Sequence, residues 1–257
     1  MAKISKPQSC LQCPYKWKYL NLLSDKDINS IQSNCTIINF KKGETVCKQG
    51  TDATHALYLA KGMVKLYIEG KKNLILKLIK AGEYIDLQTL FGDKTYKYSI
   101  AAMDDTMVCM INSDHLRGLA QKNSDYLFEL TKTISDSGNY FYKKISDISR
   151  KHLRGRLADT LLYLTDEIYK TREFNIGMTR KELAELSSMS MENAVRILSE
   201  FRTDKIISIQ GKEMIPRYSI GYDFLNDFLS NHIDFHDLFK TKIREYNDKK
   251  EKIERFE

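Results

Sequence analysis

Three polar residues near position 195 have the side-chain types and spacing of groups that read DNA bases. Glu192, Asn193 and Arg196 fall in a stretch with helical periodicity, in which Glu192 and Arg196 are one turn apart on the same face. An arginine can donate two hydrogen bonds to guanine O6 and N7, and a carboxylate can accept one from cytosine N4. The alternative is a solvated ion pair on an ordinary helical hairpin, and the local pattern alone does not choose between the two.

Capping residues delimit the helices that would position this group. Thr179 and Glu182 form a predicted capping box at the start of a first helix, and Ser190 is a suitable N-cap for a second helix beginning at Met191. The second helix has a predicted buried stripe of four residues, Ala194, Ile197, Leu198 and Phe201. Residues 206–215 then form a strand, a glycine turn and a second strand. Two such helices followed by a hairpin predict a winged helix-turn-helix.

A second set of residues, cysteines and histidines, has the side-chain types that bind metals or carry out redox chemistry. Cys10 and Cys13 form a CxxC pair, which suits a zinc site or a redox dithiol, whereas Cys109 lies in an apolar strand and by itself is typical of a buried core thiol. His232 and His236 have the spacing of two metal ligands on a helix, although such a pair in a polar tail is more often solvated. The odd number of cysteines, five, argues against a disulfide framework.

The composition is that of a globular protein. The 257 residues are 42% hydrophobic and 29% charged, and the net charge of +7 is compatible with a polyanionic partner without identifying one. The chain has no run of about 18 apolar residues and no apolar segment behind its basic N-terminus, so a cytoplasmic protein is expected. An enzyme is the least favoured class, because the common phosphate-loop, dinucleotide, zinc-protease and hydrolase motifs are not present.

The hydrophobic periodicity predicts an α+β chain of five parts. Residues 1–19 form a cysteine-containing segment, and residues 20–122 contain short strands with glycine turns, typical of an antiparallel sandwich or barrel. Residues 123–149 carry a long apolar helical stripe, which usually packs on a partner helix but can also pack on its own domain. Residues 150–220 contain a further helix and the winged helix, and residues 221–257 form a charged, helix-prone extension.

This order of elements and several motifs resemble the CRP/FNR family of bacterial transcription regulators over about residues 15–218. The stretches FKKGETVCKQG (40–50), LYLAKGMVKLYI (57–68) and AGEYIDLQTLFGD (81–93) are similar to the turns of that family's cyclic-nucleotide-binding-like β-roll. HLRGRLADTLLYL (152–164) is similar to the helix that leads into its DNA-binding domain. The family's helix-turn-helix is matched by MTRKELAELSSMSMENAVRILSEFRTDKII (178–207).

The resemblance implies a β-roll sensor domain, a long dimerisation helix and a winged-helix domain. It also implies a homodimer that binds double-stranded DNA at a palindromic operator and contacts RNA polymerase. Glu192 and Arg196 correspond to the family's base-reading pair. The implied DNA contacts are Thr179, Arg180, Ser190, Met191, Glu192, Asn193, Val195 and Arg196.

One departure from the family pattern concerns cyclic AMP. Family members that bind cyclic AMP carry an Arg-Ser pair that holds the phosphate, and here the corresponding residues are Tyr98 and Ser99. Without the bidentate arginine, the phosphate loses its main charge partner, so we expect no tight binding of cyclic AMP. The predicted effector pocket comprises Tyr84, Asp86, Leu87, Gln88, Tyr98 and Ser99.

A second departure concerns iron–sulfur chemistry. The oxygen-sensing branch of the family ligates a cluster with three N-terminal cysteines and one cysteine in the β-roll. Cys10 and Cys13 match two of the first group and Cys109 matches the β-roll ligand, while Lys18 or Tyr19 stands near the missing third position. Cys35 or Cys47 can replace the missing third cysteine if the fold brings either one near the other three. Three matches leave open an iron–sulfur cluster, another metal or redox site, or inert thiols.

Two classes of function follow from the sequence. The leading one is a DNA-binding switch, in which an effector or redox signal in the β domain biases the winged helices. The rival is a small-molecule-binding regulatory module that acts through protein contacts and does not bind DNA.

Overall fold

The fold is α+β, as predicted. The computed structural model describes residues 3–5, 9–171, 174–204, 206–210 and 213–216. The predicted extension 221–257, including His232 and His236, lies outside these residues. None of the helices in the described part of the chain combines the length and the apolar character needed to cross a membrane.

The chain forms two compact units. One consists of Met1–Arg150 together with Gly177–Met191, and the other of Lys151–Ile176 together with Glu192–Glu257. The first unit contains two antiparallel sheets and the helices that pack on them. The second contains further helices and a small antiparallel sheet.

Nine short strands build the two sheets of the first unit. They are β1 (Lys3–Ser5), β2 (Cys35–Phe40), β3 (Thr45–Cys47), β4 (His55–Lys61), β5 (Met63–Ile68), β6 (Leu74–Lys80), β7 (Glu83–Asp86), β8 (Ser99–Ala102) and β9 (Thr106–Asn112). One sheet has the strand order β1-β2-β9-β4-β7 and the other the order β3-β8-β5-β6. A core cluster joins both sheets through fully buried residues that include Leu59, Val64, Ile100 and Val108. The short strands predicted for this part of the chain are therefore confirmed, and they form two antiparallel sheets.

Among the described residues, five α-helices belong to the same unit: α1 (Asp25–Ser33), α2 (Gln88–Phe91), α3 (Ser113–Lys122), α4 (Ser124–Arg150) and α6 (Arg180–Leu186). The backbone N–H of Asp27 donates to Ser24 Oγ over 3.2 Å, which caps the start of α1. A second core cluster lies between these helices and the five-stranded sheet, and Trp17, Tyr84 and Tyr126 pack edge to face within it.

The apolar stripe of α4 is divided between two environments. Tyr126 and Leu130 are fully buried in the second core cluster, and Leu127 and Ile134 pack against it. Farther along the helix, Ile145 is 63% exposed. The first half of the stripe therefore packs on its own unit, which is the alternative that the sequence left open. A partner helix for the second half stays a prediction.

The second unit contains α5 (Leu153–Tyr163), a π-helical turn (Leu164–Tyr169), α7 (Met191–Thr203) and the strands β10 (Phe174–Asn175), β11 (Ile207–Gln210) and β12 (Glu213–Pro216). The sheet order is β10-β12-β11, and β11 and β12 pair antiparallel with Gln210 opposite Glu213. The predicted hairpin is thus confirmed, and α7 leads into it as in a winged helix.

Candidate nucleic-acid interface

The capping box at the start of α6 is formed as predicted. The backbone N–H of Glu182 donates to Thr179 Oγ1 over 3.1 Å, and the backbone N–H of Thr179 donates to Glu182 Oε2 over 2.8 Å. Each residue thus satisfies an amide that the helix itself leaves without a partner. Thr179 and Arg180 are both exposed, so the first turn of α6 presents them to solvent.

The turn between α6 and α7 is short and tightly held. The backbone N–H of Met189 donates to the carbonyl of Ala184 over 3.0 Å, and Ser187 Oγ donates to the carbonyl of Leu183 over 2.8 Å. Ser188 has a φ of 55°, the left-handed conformation that reverses a chain after a helix. The chain then enters α7 at Met191, which leaves Ser190 in the N-cap position predicted for it.

The two sides of α7 differ in polarity and exposure. The four residues of the predicted stripe are at most 2% exposed: Ala194, Ile197, Leu198 and Phe201. Glu192 and Arg196 lie on the opposite, exposed side together with Met191 and Val195. Asn193 is half-buried, since it precedes the buried Ala194 and lies one turn before Ile197. The predicted base-reading pair therefore shares one face with two apolar side chains, and Asn193 lies at its edge.

A network of charged residues that the sequence did not reveal supports this face. Arg154 of α5 donates to Glu200 over 2.6 Å and to Asp204 over 3.3 Å, and its guanidinium lies 5.5 Å from the centre of the Phe201 ring. Glu200 also accepts from Arg196. A single carboxylate thus holds both the exposed Arg196 and the arginine that ties α5 to α7. These residues are up to 50 positions apart, so no local pattern could have predicted the pairing.

A second unpredicted contact holds α6 against the β-roll. Lys65 Nζ of β5 lies 2.6 Å from Glu182 Oε1, and the two side chains are only 18% and 17% exposed. Burial acts to raise the pKa of Glu182, but the hydrogen bonds from Lys65 and Thr179 and the charge of Lys65 outweigh burial and hold that pKa below its usual value. Lys144 of α4 also donates to the carbonyl of Leu186 at the end of α6.

The predicted effector pocket is only partly assembled. Asp86 Oδ1 accepts from the backbone N–H of Gln88 over 3.0 Å and of Thr89 over 3.4 Å, and the hydroxyl of Tyr98 donates to the same carboxylate. Ser99 Oγ donates to Glu69 Oε1 over 2.6 Å. The other two predicted pocket residues pack in the second core cluster beside Trp17, namely Tyr84 and Leu87. The structure therefore groups Asp86, Gln88 and Tyr98, and the first turn of α2 is already capped by a carboxylate.

The cysteines fall into two places. Cys10, Cys35 and Cys109 contact the second core cluster, whereas Cys47 packs against the core between the sheets. Near the missing ligand position, Tyr19 packs edge to face on Trp17 at 4.9 Å. Among the described residues, no three His, Cys, Asp or Glu side chains stand as ready-made metal ligands.

The contact between Lys65 and Glu182 makes a testable prediction about acid stability. The pKa of Glu182 is lowered in the folded protein, so the pair stabilises the fold above the usual glutamate pKa and loses its effect as the pH falls through the lowered value. We expect Lys65→Met to reduce the free energy of unfolding by about 1–3 kcal/mol at neutral pH and by little once Glu182 is protonated. Urea denaturation across the pH range measures both quantities.

The matched control is Lys41→Met, which removes an ion pair of similar length, 2.7 Å, whose side chains are 72% and 68% exposed. Solvent screens such a pair, so its loss should change stability much less. Equal losses in the two variants, or a Lys65→Met loss that persists unchanged into acid, would show that the buried pair does not stabilise α6.

Comparisons with known proteins agree with this arrangement. A family model for the cyclic nucleotide-binding domain matches residues 37–123, and one for the Crp-like helix-turn-helix domain matches residues 155–217. The cAMP-activated global transcriptional regulator CRP of Salmonella typhimurium is 26% identical over 198 residues, which cover 75% of this chain and 94% of that protein. The Anaerobic regulatory protein of Bacillus subtilis is 26% identical over 210 residues, which cover 79% of this chain and 88% of that protein.

Solved structures show the same fold. FixK2 from Bradyrhizobium japonicum has a TM-score of 0.68 at 17% identity and covers 75% of this chain and 96% of its own. The c-di-GMP-responsive global regulator CLP of Xanthomonas campestris has a TM-score of 0.67 at 20% identity and covers 76% of this chain and 100% of its own. With its nucleotide-binding-like β-roll and its winged helix-turn-helix, the chain belongs to the CRP/FNR family of bacterial transcription regulators.

Proposed function

We propose that this regulator is a homodimer that binds a palindromic operator and responds to a signal other than cyclic AMP in its β-roll. On this proposal it acts through DNA and RNA polymerase and is not an enzyme. The domain division proposed from the sequence goes with it: a sensor domain over 20–122, a dimerisation helix over 123–149 and a DNA-binding domain over 150–220. The observation that carries the proposal is the exposed face of α7.

The first two turns of α7 combine the chemistry that a major-groove reader needs. Arg196 and Glu192 supply a donor pair and an acceptor, and both are exposed. Met191 and Val195 are 47% and 46% exposed, although apolar side chains of this kind normally avoid solvent. Apolar groups on a recognition helix contact the thymine methyl group. The face thus supports readout of both G·C and A·T pairs.

The partner of Arg196 also supports this role. Arg196 donates to Glu200, which lies one turn farther along α7. Glu200 is paired with Arg154 as well, so its carboxylate stays neutralised when Arg196 turns to a base. When Arg196 leaves Glu200 for a base, the half-buried Glu200 carboxylate therefore keeps a cationic partner.

Arg196→Ala tests the reading face directly. We expect affinity for the specific operator to fall by about 1–3 kcal/mol and the preference for guanine at one position of each half-site to relax. Operators selected from random DNA provide the probe, and fluorescence anisotropy at fixed salt gives the affinity.

Arg202→Ala is the control, because it removes the same charge from the exposed last turn of α7. Loss of a positive charge far from the base-reading residues should weaken binding to all DNA sequences alike and leave the base preference intact. Unchanged operator affinity in Arg196→Ala would favour the rival function, in which the helical hairpin makes protein contacts.

The second half of α4 supports the homodimer. Phe141 and Ile148 continue, at seven-residue spacing, the apolar row that begins with Leu127 and Ile134 on the core of the unit itself. Ile145 and Tyr142 lie beside this row and are 63% and 73% exposed. A seven-residue apolar repeat that is flanked by exposed apolar side chains is typical of a helix that packs against a second copy of itself.

Ile145→Asp is expected to dissociate the dimer. Burying an unpaired carboxylate between two apolar helices should raise the dimer dissociation constant by at least about 100-fold. Light scattering coupled to size exclusion measures the change. Lys143→Asp places the same carboxylate two residues earlier, about 200° round the helix, and should leave the dimer intact. A dimer that survives Ile145→Asp would contradict a role for this face.

The environment of Tyr98 supports a signal other than cyclic AMP. Tyr98 fills the position of the phosphate-binding arginine and donates to Asp86, which is only 2% exposed. A cyclic phosphate there would meet a buried carboxyl group instead of a guanidinium. Ser99, the second residue of the pair, is fully buried and donates to Glu69. Neither residue offers the anion a donor that is not already used.

Titration calorimetry tests this expectation. We expect no binding of cyclic AMP with a dissociation constant of about 1 μM or tighter, because the phosphate lacks a cationic partner. The CRP of Salmonella typhimurium, measured in the same buffer, serves as the positive control. Micromolar binding to the present protein would show that another cation replaces the missing arginine.

A further inference from the structure

The side chain of Arg196 is bound to a carboxylate of its own helix. Arg196 Nη1 donates to Glu200 Oε1, and Glu200 lies one turn farther from the N-terminal end of α7. Helix-turn-helix proteins contact base edges with residues near the N-terminal end of the recognition helix. The bond to Glu200 therefore draws the guanidinium away from the end of the helix that would contact the bases.

Glu200 cannot follow Arg196 toward DNA, because a second arginine holds it. Its other oxygen, Oε2, accepts from Arg154 Nη1 of α5 over 2.6 Å, and the Glu200 side chain is 30% exposed. The Arg196 side chain is 57% exposed, so it can turn about its own bonds into solvent. Contact with a base thus requires Arg196 to give up Glu200, while Glu200 stays with Arg154.

The release of Arg196 also changes the charge balance of this group. Arg154 Nη2 lies 3.3 Å from Asp204 Oδ2, so Arg196 and Arg154 together balance the carboxylates of Glu200 and Asp204. Those carboxylates are four residues apart on α7, where like charges repel. Burial raises the pKa of Asp204 against the attraction of Arg154, and the charge of Glu200 adds to that increase. Once Arg196 has left, the two carboxylates share Arg154 and their repulsion is less well compensated.

We propose that Glu200 competes with DNA for Arg196 and thereby holds operator affinity below the value that Arg196 alone would give. A guanine offers Arg196 two acceptors, O6 and N7, which replace the bond to Glu200. At other bases Arg196 stays on Glu200 and adds little to binding, so the cost of release falls on the operator complex. Glu200 can act in this way only if Arg196 reads a base, so the proposal rests on the function proposed above.

Asp204 provides a matched control. Its side chain is 28% exposed and pairs with Arg154, but it lies two turns beyond Arg196, about 12 Å along the helix axis. Glu200→Gln and Asp204→Asn each remove one negative charge from α7 and the residues that directly follow it, so the general loss of repulsion toward phosphates should strengthen DNA binding alike. Only Glu200→Gln also weakens the hold on Arg196.

Operator affinity is measured by fluorescence anisotropy at fixed salt, with the full-length protein and an operator that the wild type selects from random DNA. We expect Glu200→Gln to bind this operator about two- to fivefold more tightly than Asp204→Asn does, as for the loss of an exposed ion pair. The two variants should bind alike when the guanine whose preference Arg196→Ala relaxes is replaced. Circular dichroism checks that both variants are folded.

The same two substitutions in an Arg196→Ala background complete a double-mutant comparison. That background has no guanidinium to release, so Glu200→Gln and Asp204→Asn should then give equal operator affinities. An advantage of Glu200→Gln that persists there would assign the effect to charge or packing and overturn the proposal. So would weaker operator binding by folded Glu200→Gln than by Asp204→Asn, because Glu200 would then position Arg196 for reading.

A crystal structure of the wild type on the operator gives a check that needs no variant. Arg196 should contact guanine and be separated from Glu200, while Arg154 keeps its bond to Glu200. An Arg196 that reads guanine with its bond to Glu200 intact would overturn the competition.

The outcomes also separate the competition from the function on which it rests. If the wild type selects no operator, the proposed function is wrong and the competition is wrong with it. A selected operator that Glu200→Gln and Asp204→Asn bind with equal affinity contradicts the competition alone.

Discussion

The pairing of β9 with both β2 and β4 is the constraint on which the first unit depends most. Its register places Cys109 opposite Ile37 on one side and Tyr58 on the other. Neighbouring residues of β9 point in opposite directions, so Val108 enters the core between the sheets while Cys109 faces the helices. A slip by one residue would exchange the side chains that enter the two cores, and neither set would fit the other core, which is why packing on both sides secures the register. The face of the sheet on which the Cys109 thiol lies follows from this register.

The orientation of α7 depends on a different kind of constraint. Its apolar stripe determines which side of α7 is buried. The ion pairs from Arg154 to Glu200 and Asp204 hold the C-terminal part of α7 against α5. Arg154 also lies over Phe201, so apolar packing and charge pairing act at the same place. The reading face is therefore supported from behind by groups that do not themselves face DNA. Precise placement of a binding group generally requires such support.

The sequence predicted local features well and distant pairings poorly. The capping box of Thr179 and Glu182, the buried stripe of α7 and the final hairpin were all predictable, since each depends on spacings within a few residues. Periodicity could not identify the packing partner of α4, because an apolar stripe does not indicate whether its partner is the same unit or another chain. Asn193 was placed on the exposed face but lies at its edge, since the helical period puts it close to Ile197.

The sequence by itself determined the order of elements, the two helices with their capping residues and the residue types available for reading bases. Local hydrogen bonds and the periodic burial of apolar side chains are sufficient for these features. Only the tertiary structure decided that Cys35 joins Cys109, that Lys65 neutralises Glu182 and that Arg154 supports α7. Each of these pairs joins residues from different elements, and the separation along the chain is 117 positions for Lys65 and Glu182. Strand register and packing bring such groups together, and no spacing in the sequence encodes the distance between them.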